Sequence, residues 1–472
     1  MVKIVIIGGG VAGLTAGICA LERGAGVTLI DKNRSGAGAL CGWRRGEYTV
    51  DGCLHWLTGT KEGTELYDLW QRTGMLDGDV VKQEVFFSSE TDGVTVSFYD
   101  DAERTMEEMI AKYPADEREI QKFFAALKAA SSLSGTEEDA LSKAKSLAIL
   151  APYALVSAGE FASRFVNPGM RKAATDLTGK YYSSLGLIFA YSAFSRGNGY
   201  LPRGGSPGAA MRMRERFISL GGELIAGKRA VKIEKRGGEY SVLLSDGDSV
   251  TGERVICCTD PVRAARTLFD TDVTPIKFLS KLKNRSKYPL FSSVHFAFSA
   301  DSADVSFRGT SFFSCRRHDV ASVNRDRMML KEYSHESSFA PEGKTVLQTM
   351  LFADEGLCRR WITMKNDGEA YSAEKERAVS EVTERIKERF PSLSGSLRLI
   401  DAWTPATFSR YLGSVCGSYM SFALSPATRP ASFPLRVKGS DGVVFASGWT
   451  SSPGGVPNAA YAGKRAAEMI LG

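Results

Sequence analysis

The chain begins Val2-Lys3-Ile4-Val5-Ile6-Ile7, an apolar β-branched run that predicts a strand buried in a parallel sheet. Gly8-Gly9-Gly10-Val11-Ala12-Gly13 follows at once, and Leu14, Ile18 and Leu21 then recur at helical spacing, so a helix is expected to end near Gly24. Ala12, Ala16 and Gly17 are small enough to let that helix lie close on the sheet. A second strand, Gly26 to Ile30, ends at Asp31, 18 residues beyond Gly13.

Further along, a helical stretch with Met213, Phe217 and Leu220 on one face ends at Gly221-Gly222. Three short strands are expected after it, Lys228 to Lys235, Tyr240 to Leu244 and Arg254 to Thr259, forming a small β-meander around turns at Gly237-Gly238 and Asp246-Gly247. Met106 to Leu127 reads as helical. Ala370 to Phe390 reads as a surface helix with Val379, Val382, Ile386 and Phe390 on one stripe, stopped by Pro391. Near the end, Gly442 to Gly448 reads as a buried strand and Pro457 to Leu471 as an alanine-rich helix. This second glycine-bearing strand-to-helix junction implies that the chain returns to its first sheet.

The expected architecture is α/β: a discontinuous Rossmann-like nucleotide domain with a meander (residues 1–75, 197–270 and 431–472) and a mixed α+β substrate domain (76–196 and 271–430). The runs Ser146 to Gly159 and Tyr181 to Ser195 are too short to cross a bilayer. They are apolar enough to line a lipid-sized tunnel or to dip into a membrane surface beside Lys143 and Lys145, with ordinary core packing the default.

Composition narrows the classes. The 472 residues are 43% hydrophobic and 24% charged, as in an ordinary globular protein. A net charge of +6 is too mild to imply nucleic acid, although it leaves open contact with an anionic lipid surface. The eight cysteines form no C-x-x-C pair and no zinc spacing, so neither a metal site nor a disulfide scaffold is expected. Cys41 and Cys53 read as buried thiols. With no export signal ahead of the first strand, a cytoplasmic protein is expected, with peripheral contact at the inner face of a membrane left open.

The opening pattern carries chemistry. Glycines let the backbone approach a pyrophosphate, a helix N-terminus supplies free N–H groups, and an acid at the tip of the second strand can accept ribose hydroxyls. Gly8, Gly10, Val11, Ala12, Gly13 and Asp31 are therefore candidate dinucleotide ligands, in a site suited to FAD or NAD rather than NADP.

Five ordered motifs resemble the flavoprotein amine oxidase superfamily, and within it the phytoene desaturase, carotenoid isomerase and retinol saturase branch. They are Gly8 to Gly13 with Asp31-Lys32; Val50-Asp51-Gly52-Cys53-Leu54-His55-Trp56-Leu57; Pro202-Arg203-Gly204-Gly205 with Gly221-Gly222 and Val231-Lys232-Ile233; Thr404-Pro405 with Phe408, Tyr411 and Gly417; and Gly448 to Ala467. The resemblance implies FAD as cofactor, Lys32, Gly38 and Trp449 within its site, Val231 against adenine, Gly448 by the pyrophosphate and Gly455-Val456 by the flavin ring. One departure is Ala37-Gly38-Ala39, where the family usually carries Gly-Gly and a basic or amide residue; Arg34, Arg44 and Arg45 are nearby candidates for the missing charge.

Flavin hydride chemistry needs few protein groups. His55 is the catalytic candidate, because it sits beside the expected flavin face with a near-neutral pKa; the alternative is a histidine that packs to position FAD. Glu47 and Asp51 read as turn or backbone partners, Trp56 as core or pocket wall, and Trp403, Phe408, Tyr411 and Tyr419 as core or an aromatic wall. The expected function is an FAD-dependent oxidoreductase that desaturates, saturates or isomerises a carbon–carbon bond of an apolar isoprenoid or polyene substrate. An amine oxidase and a catalytically weak FAD-binding escort protein are the competing readings. No motif identifies the electron donor or acceptor.

Overall fold

The computed structural model describes residues 1–34, 37–133, 139–269, 283–323, 325–428, 431–432, 436–437 and 440–472. The expected boundaries at 270/271 and 430 fall outside the described residues. The α/β class is as expected: two sheets dominate, one largely parallel and one largely antiparallel.

The first sheet has six strands, in the order Arg436–Val437, Ser440–Phe445, Arg254–Cys257, Lys3–Ile7, Gly26–Asp31 and Glu223–Ala226. All neighbours run parallel except the edge pair of Arg436–Val437 with Ser440–Phe445. Ile4, Val5 and Ile6 are buried, as a strand covered on both faces requires. The helix Val11–Leu21 is buried from Val11 through Ala20 rather than along one stripe, because other elements close on it. A Cβ on Gly463 would lie 2.1 Å from Ala12 O, so the helix Val456–Leu471 crosses it nearly backbone to backbone. Likewise Gly17 lies against the ring of Phe217 in the helix Gly205–Ser219.

The meander differs from its expected form. Its strands are Ala230–Arg236, Glu239–Leu244 and Ser249–Gly252, while Arg254–Cys257 leaves it to pair with Lys3–Ile7. Val255, Ile256 and Cys257 are all buried, and such a run fits the interior of a two-sided sheet better than a small exposed one.

The second sheet has seven strands, in the order Arg398–Trp403, Ser292–Asp301, Lys344–Ala353, Arg327–Glu332, Thr310–Ser314, Val85–Thr91 and Val94–Tyr99. Helices cover it. The stretch expected as one helix over 106–127 is two, Ala102–Lys112 and Glu117–Leu133, because Pro114 cannot donate to the ladder between them. The surface helix spans Gly368–Arg389, capped by Asp367, and buries Val382 and Ile386. The run Ser146 to Gly159 departs from core packing: it falls mostly in the helix Ala140–Ala154, which buries Leu150 and Tyr153 but leaves Leu147 58% exposed, with Leu141, Ile149 and Leu155 also exposed. Among the described residues, no helix is long and apolar enough to cross a membrane.

Candidate active site

A single cavity of about 980 Å³ runs from the tip of the first sheet to the second sheet. Of the residues expected to hold a cofactor, Gly8, Gly10, Val11, Ala12, Asp31, Lys32, Gly38, Val231, Gly448, Trp449, Gly455 and Val456 all line it. Gly13 sits behind the wall: a Cβ there would fall 1.9 Å from Gly8 O, so its role is to let helix and turn touch. Gly8 itself has φ +105°, a conformation that disfavours side chains.

Two helix N-termini open into this cavity. Gly10 and Gly455 precede Val11–Leu21 and Val456–Leu471, and neither offers a capping side chain. By contrast, Thr64, Asp101, Asp354 and Asp367 cap the helices they precede. Uncapped first-turn N–H groups and the positive ends of two helix dipoles are suited to anionic groups such as a pyrophosphate or the electron-rich edge of a reduced ring.

Asp31 differs in detail from its expected pose. Its Oδ2 accepts the Gly9 N–H at 2.7 Å and its Oδ1 the Asn33 N–H at 2.6 Å. The carboxylate therefore braces the glycine turn as well as facing the cavity, and burial raises its pKa despite those bonds. Lys32 donates to Arg410 O at 2.9 Å, and burial lowers its pKa with help from Arg263 and Arg229. None of Arg34, Arg44 and Arg45 lines the cavity; Arg45 pairs instead with Asp401 at 2.8 Å. The cations at the nucleotide end are Lys32, Arg229, Arg263 and Arg410, of which sequence reading found only Lys32.

At the other end the wall is apolar, with Trp56, Phe86, Leu185, Phe189, Phe312 and Met329. Trp56 packs edge-on against Phe86. His55 lines the cavity, and burial depresses its pKa well below the ordinary value, with Lys331 and His295 adding to the effect, so it is a neutral imidazole. Its backbone carbonyl accepts the buried Lys331 Nζ at 3.1 Å; burial brings that amine down to about 8.

Asp51 is wholly engaged in structure, accepting from the Cys53 and Ser206 N–H groups and from the Ser206 hydroxyl, while Glu47 is exposed at a hairpin turn. Cys41 and Cys53 are free thiols, and burial pushes both up, Cys41 to about 12. The four aromatic candidates divide. Tyr419 lines the cavity with Phe408 against it at 4.7 Å, Trp403 lies behind them, and Tyr411 stands apart at the nucleotide end.

Sequence reading missed Ser293 and His295, which join Tyr419 in a hydrogen-bonded line. The signal was there as Ser293 and His295, two apart and so on one face of the strand, within the run Phe291-Ser292-Ser293-Val294-His295-Phe296.

The donor set fits FAD: a glycine wall, two uncapped helix starts, an acid and flanking cations at one end, then an apolar chamber. Bound there, FAD would supply two-electron hydride chemistry, with Asp31, Lys32 and the two helix starts placed where they would hold it and the aromatic wall where it would exclude water.

Comparison with known proteins agrees. The family model for flavin-containing amine oxidoreductases matches residues 11–471. A chloroplastic prolycopene isomerase from Daucus carota is 22% identical over 99% of this chain and 79% of its own length. A solved oxidoreductase from Methanosarcina mazei superposes with a TM-score of 0.66 at 14% identity, covering 99% of this chain and 100% of the other. An engineered putrescine oxidase superposes at 0.63 with 16% identity, covering 100% of this chain and 98% of the other. With the glycine cradle, the two uncapped helix starts and a family match across nearly its whole length, the chain belongs to the flavin-containing amine oxidoreductase family and is an FAD-dependent oxidoreductase.

Proposed function

We propose that this oxidoreductase acts on a carbon–carbon bond of an apolar, isoprenoid or polyene substrate, by desaturation, saturation or isomerisation through hydride transfer at the flavin. The observation that carries this reading is the character of the far chamber. Phe86, Phe87, Leu185, Phe189, Phe312 and Met329 wall it, and among the described lining residues the only acids are Asp31 and Asp260, both grouped with the nucleotide-end residues. A hydrocarbon is desolvated there at little cost, whereas an alkylammonium would lack a counter-charge. The likeness to a prolycopene isomerase over 99% of the chain supports the same choice.

Tyr419 and Phe408, packed at 4.7 Å, favour the second reading, an amine oxidase with an aromatic site. The two are separated by mixing the FAD-loaded protein anaerobically with a poly-cis linear polyene in detergent micelles or with putrescine. The expected result is an altered polyene and a flavin that putrescine leaves oxidised. Reduction by putrescine with the polyene unchanged would overturn the proposal.

A further inference from the structure

A line of polar groups runs behind the wall formed by Tyr419, and the hydride chemistry above leaves it without a task. Ser293 and His295 are two apart in the strand Ser292–Asp301 and so project to one face. Ser293 Oγ lies 2.8 Å from Tyr419 Oη and 2.7 Å from His295 Nε2. The His295 ring stacks on Trp403 at 4.8 Å, with Phe408 against it at 5.4 Å, so its orientation is fixed. Tyr419 faces the large cavity; with His295 and His55 it also lines a second cell of about 10 Å³, at the lower limit for one water. On the wall of that cell Gln348 donates through Nε2 to Asp51 O at 2.9 Å, and its buried Oε1 has no partner among the described residues. That oxygen and the two imidazoles are the polar partners a single water needs.

We propose that Tyr419, Ser293 and His295 form a proton relay opening on the substrate chamber, with Tyr419 exchanging the proton with substrate and Ser293 and His295 as positioning residues behind it. This rests on the carbon–carbon reading. In a desaturation the substrate loses a hydride to the flavin and a proton from the adjacent carbon. That proton bonds to Tyr419 Oη as the phenol's own proton passes to Ser293 Oγ and the Ser293 proton to His295 Nε2. The C–H electron pair stays as the new double bond, and the imidazole becomes an imidazolium; saturation is the reverse. At rest both ends of the line are neutral, because burial brings His295 down to about 3 and pushes the Tyr419 phenol up; the same burial disfavours the imidazolium, so it is a transient carrier that returns or passes on its proton within the turnover. Ser293 and His295 are buried and Tyr419 half-buried on the chamber wall, a polar line that is costly to desolvate beside an apolar space unless its members bond to one another.

The test uses the FAD-loaded full chain, in two parts. With only four histidines, isotope-labelled imidazole nitrogens are assignable by substitution. The His295 Nε2 signal is expected to be that of an unprotonated acceptor, and to shift in both Ser293→Ala and Tyr419→Phe. A signal that ignores Tyr419→Phe, or an Nε2 that carries the proton, would overturn the relay. In desaturation of the poly-cis polyene with an added artificial electron acceptor, Tyr419→Phe is expected to lower kcat by about a hundredfold with KM and FAD content unchanged, while Ser293→Thr, which keeps the hydroxyl, retains most activity. An unchanged kcat in Tyr419→Phe would also overturn it. If the wild type turns over putrescine and no polyene, the carbon–carbon reading fails, and the relay stands or falls on the nitrogen signals and on the same kcat ratio with putrescine.

Discussion

Each oxygen of the Asp31 carboxylate accepts one backbone N–H, from Gly9 and from Asn33, and so keeps lone pairs for a ribose hydroxyl. Asp31→Ala removes the brace and the ligand together. FAD affinity is expected to fall by about 10- to 100-fold, the worth of one charge-assisted hydrogen bond, as read by flavin fluorescence on titration. Gly463→Val tests a purely steric role. Its side chain would meet Ala12 O and force apart the two helices that start at the cavity, at a cost of about 1–3 kcal/mol and a lower Tm by calorimetry. Gly8 to Gly13 and Asp31 were legible from local spacing, and the place of His55, Gly448 and Gly455 on the cavity from the motifs that carry the family resemblance. Ser293, His295, Arg229 and Arg263 were not, because chain return brings Arg229 and Arg263 to the cavity, and strand pairing sets Ser293 and His295 behind its wall, from distant segments.

Elements buried on both faces announce themselves, and Lys3–Ile7 and Gly26–Asp31 were readable for that reason. The antiparallel sheet was less so. Val85–Thr91 pairs in parallel with Thr310–Ser314 across more than two hundred residues of chain, and no local periodicity encodes that. The helix Ala140–Ala154 is where apolar composition misled, since four of its neighbourhood's large side chains, Leu141, Leu147, Ile149 and Leu155, face outward. Val156 and Tyr182, which backbone bonds tie to residues 184 and 158, link this helix to the segment that walls the cavity through Tyr182, Leu185 and Phe189. We propose that this face meets a lipid surface, with Lys143 and Lys145 against anionic headgroups. Co-sedimentation with anionic phospholipid vesicles is expected, and Leu147→Glu with Leu155→Glu should abolish it while leaving Tm and FAD content unchanged, because both side chains are already exposed.

For the whole molecule, buried neutral histidines set an acid limit. Burial holds His295 down to about 3, His335 to about 4 and His55 well below 6.5. Between those values and 6.5 the unfolded chain binds more protons than the folded one, so the stability these groups contribute is complete above pH 6.5 and is lost as pH falls through it. Each contributes a slope of at most about 1.4 kcal/mol per pH unit. Asp31 and Asp51 oppose this at lower pH, because burial raises their pKa above 3.8 and the folded chain takes up those protons first. Tm is therefore expected to begin falling near pH 6.5 and to fall most steeply near about pH 5, midway between 6.5 and the depressed values, and His295→Gln to flatten that slope.

One cavity is proposed to seat FAD at its glycine end and an apolar substrate at the other. The visible spectrum of the purified protein, with mass spectrometry of an organic extract made after denaturation, tests this most directly. A flavin spectrum, released FAD and a co-extracted polyene lipid are predicted. Protein that stays colourless after FAD is added, or a flavoprotein that retains no apolar lipid and is bleached by putrescine, would contradict it.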